Sequence, residues 1–269
     1  MSACQVSPEK ILMPTDQAGI SVRYLIFSSN SLSVLLALLI WLPGLVSAGS
    51  FSVMPLKVEL SKSEPTRIIN LQNLESKPVT VQLQILAWSH KDGIDHFTST
   101  RDVIVTPQIF HLKANSLQII RAGLIRQVDT DEELAYRLFI EEIPEPPASD
   151  FKGAQLALKI SLPVFVTSEK TTKPKLEFQS TLQSDGNLKM KIVNTGKSHS
   201  HIQNIALFSE EKNEQSFARH EKSIYVLPGQ ERNISIKIDK HDFSSNERFL
   251  IKATTRNGQV VSYASAGLP

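Results

Sequence analysis

The chain has 269 residues, of which 41% are hydrophobic and 21% charged, with a formal net charge of +2. That balance excludes a chain too polar to collapse. The near-neutral charge leaves no electrostatic footprint for nucleic acid, so nucleic-acid binding drops out as a function class.

The first landmark is the unbroken apolar run Val34–Leu42 (VLLALLIWL), followed by Pro43, Gly44 and the small-residue site Val46-Ser47-Ala48. A run of this size fits the ~7–15-residue core of an export signal and falls short of the ~20 residues that span a bilayer. No Lys or Arg cluster follows to halt transfer. Residues 1–48 are therefore expected to be a signal peptide cleaved near Ala48, with translation starting at Met1 or Met13 and no membrane insertion of the mature chain. A retained membrane anchor is the alternative reading. Removal leaves 269 − 48 = 221 residues, room for two domains of about 100 residues each. Cys4, the one cysteine, lies in the removed part. The mature chain is thus expected to hold no disulfide and no thiolate metal site, and to rely on apolar cores.

From residue 50 the chain reads as strand after strand. Phe51–Leu60, Arg67–Leu74, Val103–Thr106, Leu117–Leu124, Leu134–Ile143 and Leu156–Val166 are β-like runs. In Val79–Ala87, apolar residues alternate with Thr80, Gln82 and Gln84, the period of a half-buried strand. Turns fall at Asp92-Gly93, at Pro107 and through PEPPASDFKG (144–153). A polar stretch, TSEKTTK (167–173), ends at Pro174, and the pattern restarts. Leu188, Met190 and Ile192 alternate with Lys189 and Lys191. Further runs cover Ile202–Phe208, Ser223–Leu227, Ile234–Ile238 and Phe249–Thr254, with turns at Asp185-Gly186, Pro228-Gly229 and Asn257-Gly258. Gln127–Leu134 has room for a short helical turn. The expected organisation is all-β: a first β-sandwich over 49–166, a hinge linker over 167–173 and a second β-sandwich over 174–269.

Seven pieces of the first set of strands stand in a known order: FSVMPLKVEL (51–60), INLQN (69–73), VTVQLQILAW (79–88), VIVTPQIFHL (103–112), LQIIRAG (117–123), YRLFIEEIP (136–144) and LALKISLPVFV (156–166). LPGQ (227–230) fits the second set more loosely. In this the chain resembles the PapD-like periplasmic chaperones of the chaperone–usher pathway of pilus assembly. The YRLFIEEIP and LPVFV forms are most similar to the branch called archaic. The resemblance implies two immunoglobulin-like domains set at an angle around a cleft, a periplasmic location, and pilin or fimbrial subunits and an outer-membrane usher as partners. The sequence leaves open whether the free chain hides its sticky strand by self-association. Three departures stand out. Phe165-Val166 occupies the place of an Arg-Pro pair and SYASAG (262–267) that of an Asn-Asp-Tyr-Gly-like stretch, which puts the family's charged interdomain bridge in doubt, and Lys57 stands on the first strand where those members have Arg.

The resemblance also assigns roles. A subunit of this system is a sandwich lacking one strand, and its groove exposes apolar pockets and unpaired backbone groups. The segment Gly153–Val166 has the form of a donor strand, with Leu156, Leu158, Ile160 and Leu162 on one face and Ala157, Lys159 and Ser161 on the other. The competing reading, an internal core strand, is as strong for Leu162 and Val164. The subunit's terminal carboxylate needs a basic anchor. Lys57 on the first strand, then Lys159 on the last, then Arg137 beside Tyr136 are the candidates, the last also able to bridge Glu141 or Glu142 instead. Strict alignment on the strand end puts Ser161 where Lys159 is wanted.

Other residues carry blander readings. Trp88 reads as packing, His199-x-His201 as a solvated loop without a third metal ligand, and NIS (233–235) as a chance match. No nucleophile elbow, zinc-helix or phosphate-loop motif is present, so neither enzyme activity nor a cofactor is expected. An exported structural protein, pilus subunit or surface adhesin, is the alternative function; only Gly49 and Ser50 precede the first strand, short of the free extension a subunit donates. A metal hydrolase using the histidines is the third reading.

Overall fold

The computed structural model describes residues 51–125, 131–146, 153, 155–167, 173–210, 215–238, 248–265 and 267. The expected signal segment, the core of the expected helical turn (126–130) and most of the expected linker (168–172) lie outside them. No helix occurs among the described residues, so none is long and apolar enough to cross a membrane.

The first lobe is built from β1 (Phe51–Met54), β2 (Val58–Ser61), β3 (Thr66–Asn73), β4 (Val79–Lys91), β5 (Ile94–Ser99), β6 (Val103–Thr106), β7 (Ile109–Leu112), β8 (Leu117–Leu124), β9 (Leu134–Ile143) and β10 (Lys159–Thr167). One sheet has the order β1-β3-β8-β6; the other runs β2-β10-β9-β4-β5, with β7 also on β4. Strand alternation drives this packing. Val81 and Leu83 of β4, Leu138 and Ile140 of β9 and Ile69 and Leu71 of β3 turn inward to one shared core, while the residues between them, Gln82, Phe139 and Asn70, lie on the opposite faces of their strands.

The run Phe51–Leu60, expected as one strand, is two. β1 pairs antiparallel with β3 in one sheet, and β2 pairs in parallel with the end of β10 in the other. Pro55 sits at the break, where a residue without an N–H cannot continue a ladder.

The second lobe contains β11 (Leu176–Leu182), β12 (Asn187–Asn194), β13 (Ser200–Ser209), β14 (Ser216–His220), β15 (Ile224–Val226), β16 (Glu231–Lys237), β17 (Arg248–Thr255) and β18 (Gly258–Ser265). Its sheets are β11-β12-β16 and β14-β13-β17-β18, with β15 on β13. They enclose a second core around Leu188, Met190, Ile192, Ile205, Leu207, Phe249 and Ile251. The all-β, two-sandwich architecture expected from the alternation is present.

Each lobe buries one asparagine completely at a strand end. Asn73 donates to the carbonyls of Lys77 (2.8 Å) and Lys113 (3.2 Å) and accepts from the Glu75 amide (3.0 Å). Asn194 donates to Ser198 (2.7 Å) and Val226 (3.0 Å) and accepts from Lys175 and Gly196. Each satisfies the amide's hydrogen bonds inside the protein, which is what makes burial tolerable.

The lobes pack as one compact unit. Their junction is a separate apolar cluster of Trp88 and Phe165 from the first lobe and Leu227 from the second, flanked by Ala135 and Tyr225. The β4–β5 hairpin also reaches across. It turns on Asp92 (φ 55°) and Gly93 (φ 76°), both left-handed, as a two-residue hairpin loop requires. An added Cβ at Gly93 would sit 2.5 Å from the Asn233 side chain of the second lobe.

Candidate functional site

β10 has a full partner on one side only. Its pairing with β9 runs from Lys159↔Glu141 to Val166↔Leu134, whereas β2 covers only Val164–Thr167. Residues 159–163 thus form an edge with no partner strand among the described residues. The Glu142 amide donates to the Leu158 carbonyl (2.9 Å). This fixes the even-numbered residues of β10 as those bonded to β9, because antiparallel residues alternate in direction. Lys159 and Ser161 therefore turn their backbone N–H and C=O groups toward the open edge.

Side chains on the even-numbered face follow a gradient. Leu156 is 80% exposed and Leu162 only 3%, with Leu158 and Ile160 half-buried between them. One apolar row starts in the lobe's own core and runs off its end. Leu162, expected in the donor row, belongs to that core together with Val164 and Val166, so its side chain has none of its surface to lend. The strand also starts at Lys159 rather than Leu156, since Leu156 and Ala157 lie beyond the β9 ladder.

Near the hinge end of β10, side chains from both lobes converge. The Arg137 guanidinium lies over the Trp88 ring (3.8 Å to the centroid) and 5.4 Å from the Tyr225 ring centroid. Tyr225 in turn stacks on His201 (4.2 Å, 1° between planes). Arg256, in the turn between β17 and β18, donates its amide to the His201 carbonyl (3.3 Å). Burial lowers the pKa of His201, and the charges of Arg256, His199, Lys57 and Arg137 lower it further. Burial also raises the Tyr225 pKa, opposed by Arg137 and Arg256. Lys57, Arg137 and Arg256 thus act on one small region, the Tyr225–His201 stack.

Their counter-charges differ. Lys57 is held by Glu59 (2.5 Å) and Lys159 by Glu141 (3.0 Å). Burial lowers the Arg137 pKa and the charge of Asp95 opposes it, while Glu141, one of the two glutamates considered for Arg137, pairs with Lys159 instead. Lys159, expected beside Lys57, is not brought to the junction. It lies four residues along the strand from Pro163, which faces Arg137, a separation of about 13 Å. Its ammonium instead lies 5.1 Å from the Phe139 ring centroid.

The junction itself has an ionic lock. Asp95 of β5 accepts hydrogen bonds from Arg232 Nη1 of β16 (2.8 Å) and Trp88 Nε1 (2.9 Å), with His90 Nε2 at 3.3 Å. Burial alone would raise the Asp95 pKa, but the His90 and Trp88 contacts and the Arg232 charge outweigh it and bring it to about 2. A charged bridge thus joins the lobes, although not from the residues the resemblance pointed to. At the position of the missing Arg-Pro pair, Phe165 is fully buried and stacks on His199 (3.7 Å, 3°). His199 Nδ1 is 2.6 Å from Glu133 Oε1 of the first lobe. The pair His199-x-His201 is therefore not a solvated loop but part of the lobe contact. Trp88 packs at 4% exposure, as expected. Among the described residues no cluster of three His, Cys, Asp or Glu side chains is arranged to hold a metal.

Sequence reasoning missed Arg256, Tyr225 and the Asp95–Arg232 pair. Arg256 precedes the recognised Asn257-Gly258 turn, but nothing in a linear pattern tells which side chains a distant lobe will meet.

Residues 50–171 match the family model of the pili and flagellar-assembly chaperones, PapD N-terminal domain. The match covers the first lobe, and the resemblance to PapD-like pilus chaperones drawn from the sequence holds. Among solved structures, the CsuC–CsuE chaperone–tip adhesion subunit pre-assembly complex from the archaic chaperone-usher Csu pili of Acinetobacter baumannii matches with a TM-score of 0.60 at 18% identity. That match covers 81% of this chain and 99% of the other. The SafA pilin–SafB chaperone complex of Salmonella enterica matches with a TM-score of 0.53 at 14% identity, over 81% of this chain and 97% of the other. The E. coli chaperone DraB matches with a TM-score of 0.51 at 18% identity, over 82% and 97%. At these identities the likeness is one of fold. No curated protein sequence matches the chain.

Proposed function

We propose that this chain is a non-enzymatic periplasmic chaperone that caps a pilin-like subunit by donor-strand complementation and delivers it to an outer-membrane usher, without a cofactor. The observation that carries this reading is the open edge of β10, with its apolar row running off the lobe and cations at its hinge end. An incomplete sandwich needs backbone partners and apolar side chains along one groove. Lys159 and Ser161 offer the first; Leu156, Leu158 and the exposed part of Ile160 offer the second. At ~1.5–3 kcal/mol per fully buried aliphatic side chain, this row stabilises a complex by several kcal/mol before ordering costs are subtracted.

The cations fix the register. A client carboxylate entering the junction meets Arg137, whose planar fork suits two parallel hydrogen bonds, and Lys57, which must first release Glu59. In the free chain the same edge is open to a second copy, and self-association follows from that. The matched complexes, a chaperone with an adhesion subunit and a chaperone with a pilin, support a subunit of that kind as the partner.

The test is co-expression of the full chain with pilin-like proteins encoded beside it, followed by co-purification from periplasm. A stoichiometric complex with one such protein is expected. Recovery of the chain as a self-polymer, with no client under any pairing, would instead make it a structural subunit.

A further inference from the structure

We propose that Pro163 is a positioning residue for the client: it ends the client's ladder at Ser161 and so fixes how far toward the hinge a client strand can run. The inference rests on the chaperone reading above and concerns the same edge of β10.

The odd-numbered residues of β10 turn their backbone groups away from β9. In order they are Lys159, Ser161, Pro163, Phe165 and Thr167. The last two belong to the lobe's own sheet, because β2 sets Glu59 against Phe165 and Ser61 against Thr167 in parallel register. The first two have no partner strand among the described residues. Pro163 stands at the changeover. Continuing the β2 register by one residue would set Lys57 against it, and Lys57 lies outside that strand.

Within a sheet, proline is confined to places where no ladder donor is required. Position 163 meets that condition in the free chain, since β2 begins one residue further on. A visiting strand meets the consequence. It finds an N–H and a C=O at Lys159 and again at Ser161. One step nearer the hinge it finds a carbonyl and a ring where the next donor would stand. Beyond that, β2 already occupies the edge. A slip of the client by two residues, the smallest that keeps its side chains on the same face, would set its backbone against the proline.

The side chains stop at the same place. Ile160 is half-buried, while Leu162 is 3% exposed and belongs to the lobe's core. The apolar row thus gives its last accessible side chain at Ile160 and the backbone its last free donor at Ser161. Two independent features of one strand mark one limit.

The test uses a synthetic peptide of alternating valine and serine, titrated onto the wild-type chain, Pro163→Ala and Pro163→Val. Both variants restore the N–H, one with a small side chain and one with a branched side chain suited to a strand. Amide hydrogen exchange is followed at residues 159, 161 and 163. In the wild type the peptide should slow Lys159 and Ser161. In both variants it should also slow the new amide at 163, and affinity should rise about two- to ten-fold, the effect of one added hydrogen bond. A proline with a purely structural role would move affinity the other way or not at all. If the peptide slows 159 and 161 but leaves the amide at 163 unchanged, the ladder ends there for another reason, and the inference fails while the chaperone reading stands. A gain in only one variant belongs to its side chain and overturns the inference equally. If the peptide slows neither Lys159 nor Ser161 in the wild type, the edge offers no backbone, and the inference falls together with the strand-lending part of that reading.

Discussion

Arg232 Nη1 lies 2.8 Å from Asp95 Oδ1, across the junction of the two lobes. The contact makes the hairpin β4–β5 the arm by which the first lobe holds the second. Asp95 is an acceptor for Trp88 and a neighbour of His90 as well, so one carboxylate of β5 gathers groups from β4 and β16.

Its titration gives the first prediction. The folded pKa of about 2 lies below the ordinary value of 3.8. The charged form is therefore favoured in the folded state, and its contribution is complete above about pH 4 and disappears as pH falls through about 2. The carboxylate is 37% exposed, so solvent screening keeps this contribution modest. Asp95→Asn should be less stable than wild type at neutral pH, and the gap should close between about pH 4 and pH 2. Urea midpoints of both proteins across that range check it; a gap independent of pH would mean that Asp95 ionisation does not couple to folding.

Gly93 supplies a second. Valine there meets both an unfavourable φ of +76° and the Asn233 side chain at 2.5 Å from its Cβ, so Gly93→Val should lift the hairpin from β16 while both cores stay folded. In a chain expressed from residue 49, Trp88 is the one tryptophan, and it sits in the junction. Its emission should shift to the red in Gly93→Val, with the far-ultraviolet β signature unchanged. An emission maximum identical to wild type would show that the hairpin does not hold the junction.

The apolar row separates stability from binding. Leu162→Ala removes a buried side chain and should cost about 2–5 kcal/mol of stability. Leu156→Ala removes an exposed one and should cost almost none, yet it should lower client recovery. Denaturant curves and co-purification yields on the same two variants decide this. Equal effects of both variants on stability would contradict the burial gradient.

Among the cations, Arg137→Gln should weaken client binding about 10- to 100-fold, the loss of a charge-assisted hydrogen bond, and Lys57→Glu should abolish recovery without unfolding the chain. Lys159→Gln should change affinity less than about two-fold, because its partner is Glu141 on the neighbouring strand. Pull-down of the co-expressed client by each variant measures all three. A larger loss from Lys159→Gln than from Arg137→Gln would return the anchor to the far end of β10.

Much of the fold was legible because half-buried strands alternate. β8 and β9 have the limits expected from the sequence, and each shows the buried–exposed period that revealed it. β5 was missed for the converse reason: all six of its residues are exposed, so no alternation marks an outer hairpin strand. β18, exposed at every second residue but half-buried rather than buried between, was hidden in the same way. The donor segment was legible as an apolar period, but its gradient was not, since burial of Leu162 depends on strands β2 and β9 arriving from elsewhere in the chain. The lobe contact was the least legible part. Phe165 on His199, Asp95 on Arg232 and Gly93 on Asn233 are pairs separated by long stretches of sequence, and no local pattern encodes them.

The strand-lending edge can be read directly by amide hydrogen exchange of residues 155–163, with the full chain free and again in complex with its co-purified client. The amides of Lys159 and Ser161, which point away from β9, should exchange freely in the chain alone and slow by at least about ten-fold in the complex, as new ladder bonds form. A complex in which these two amides exchange as fast as in the free chain would mean that the client sits elsewhere and that β10 lends it nothing.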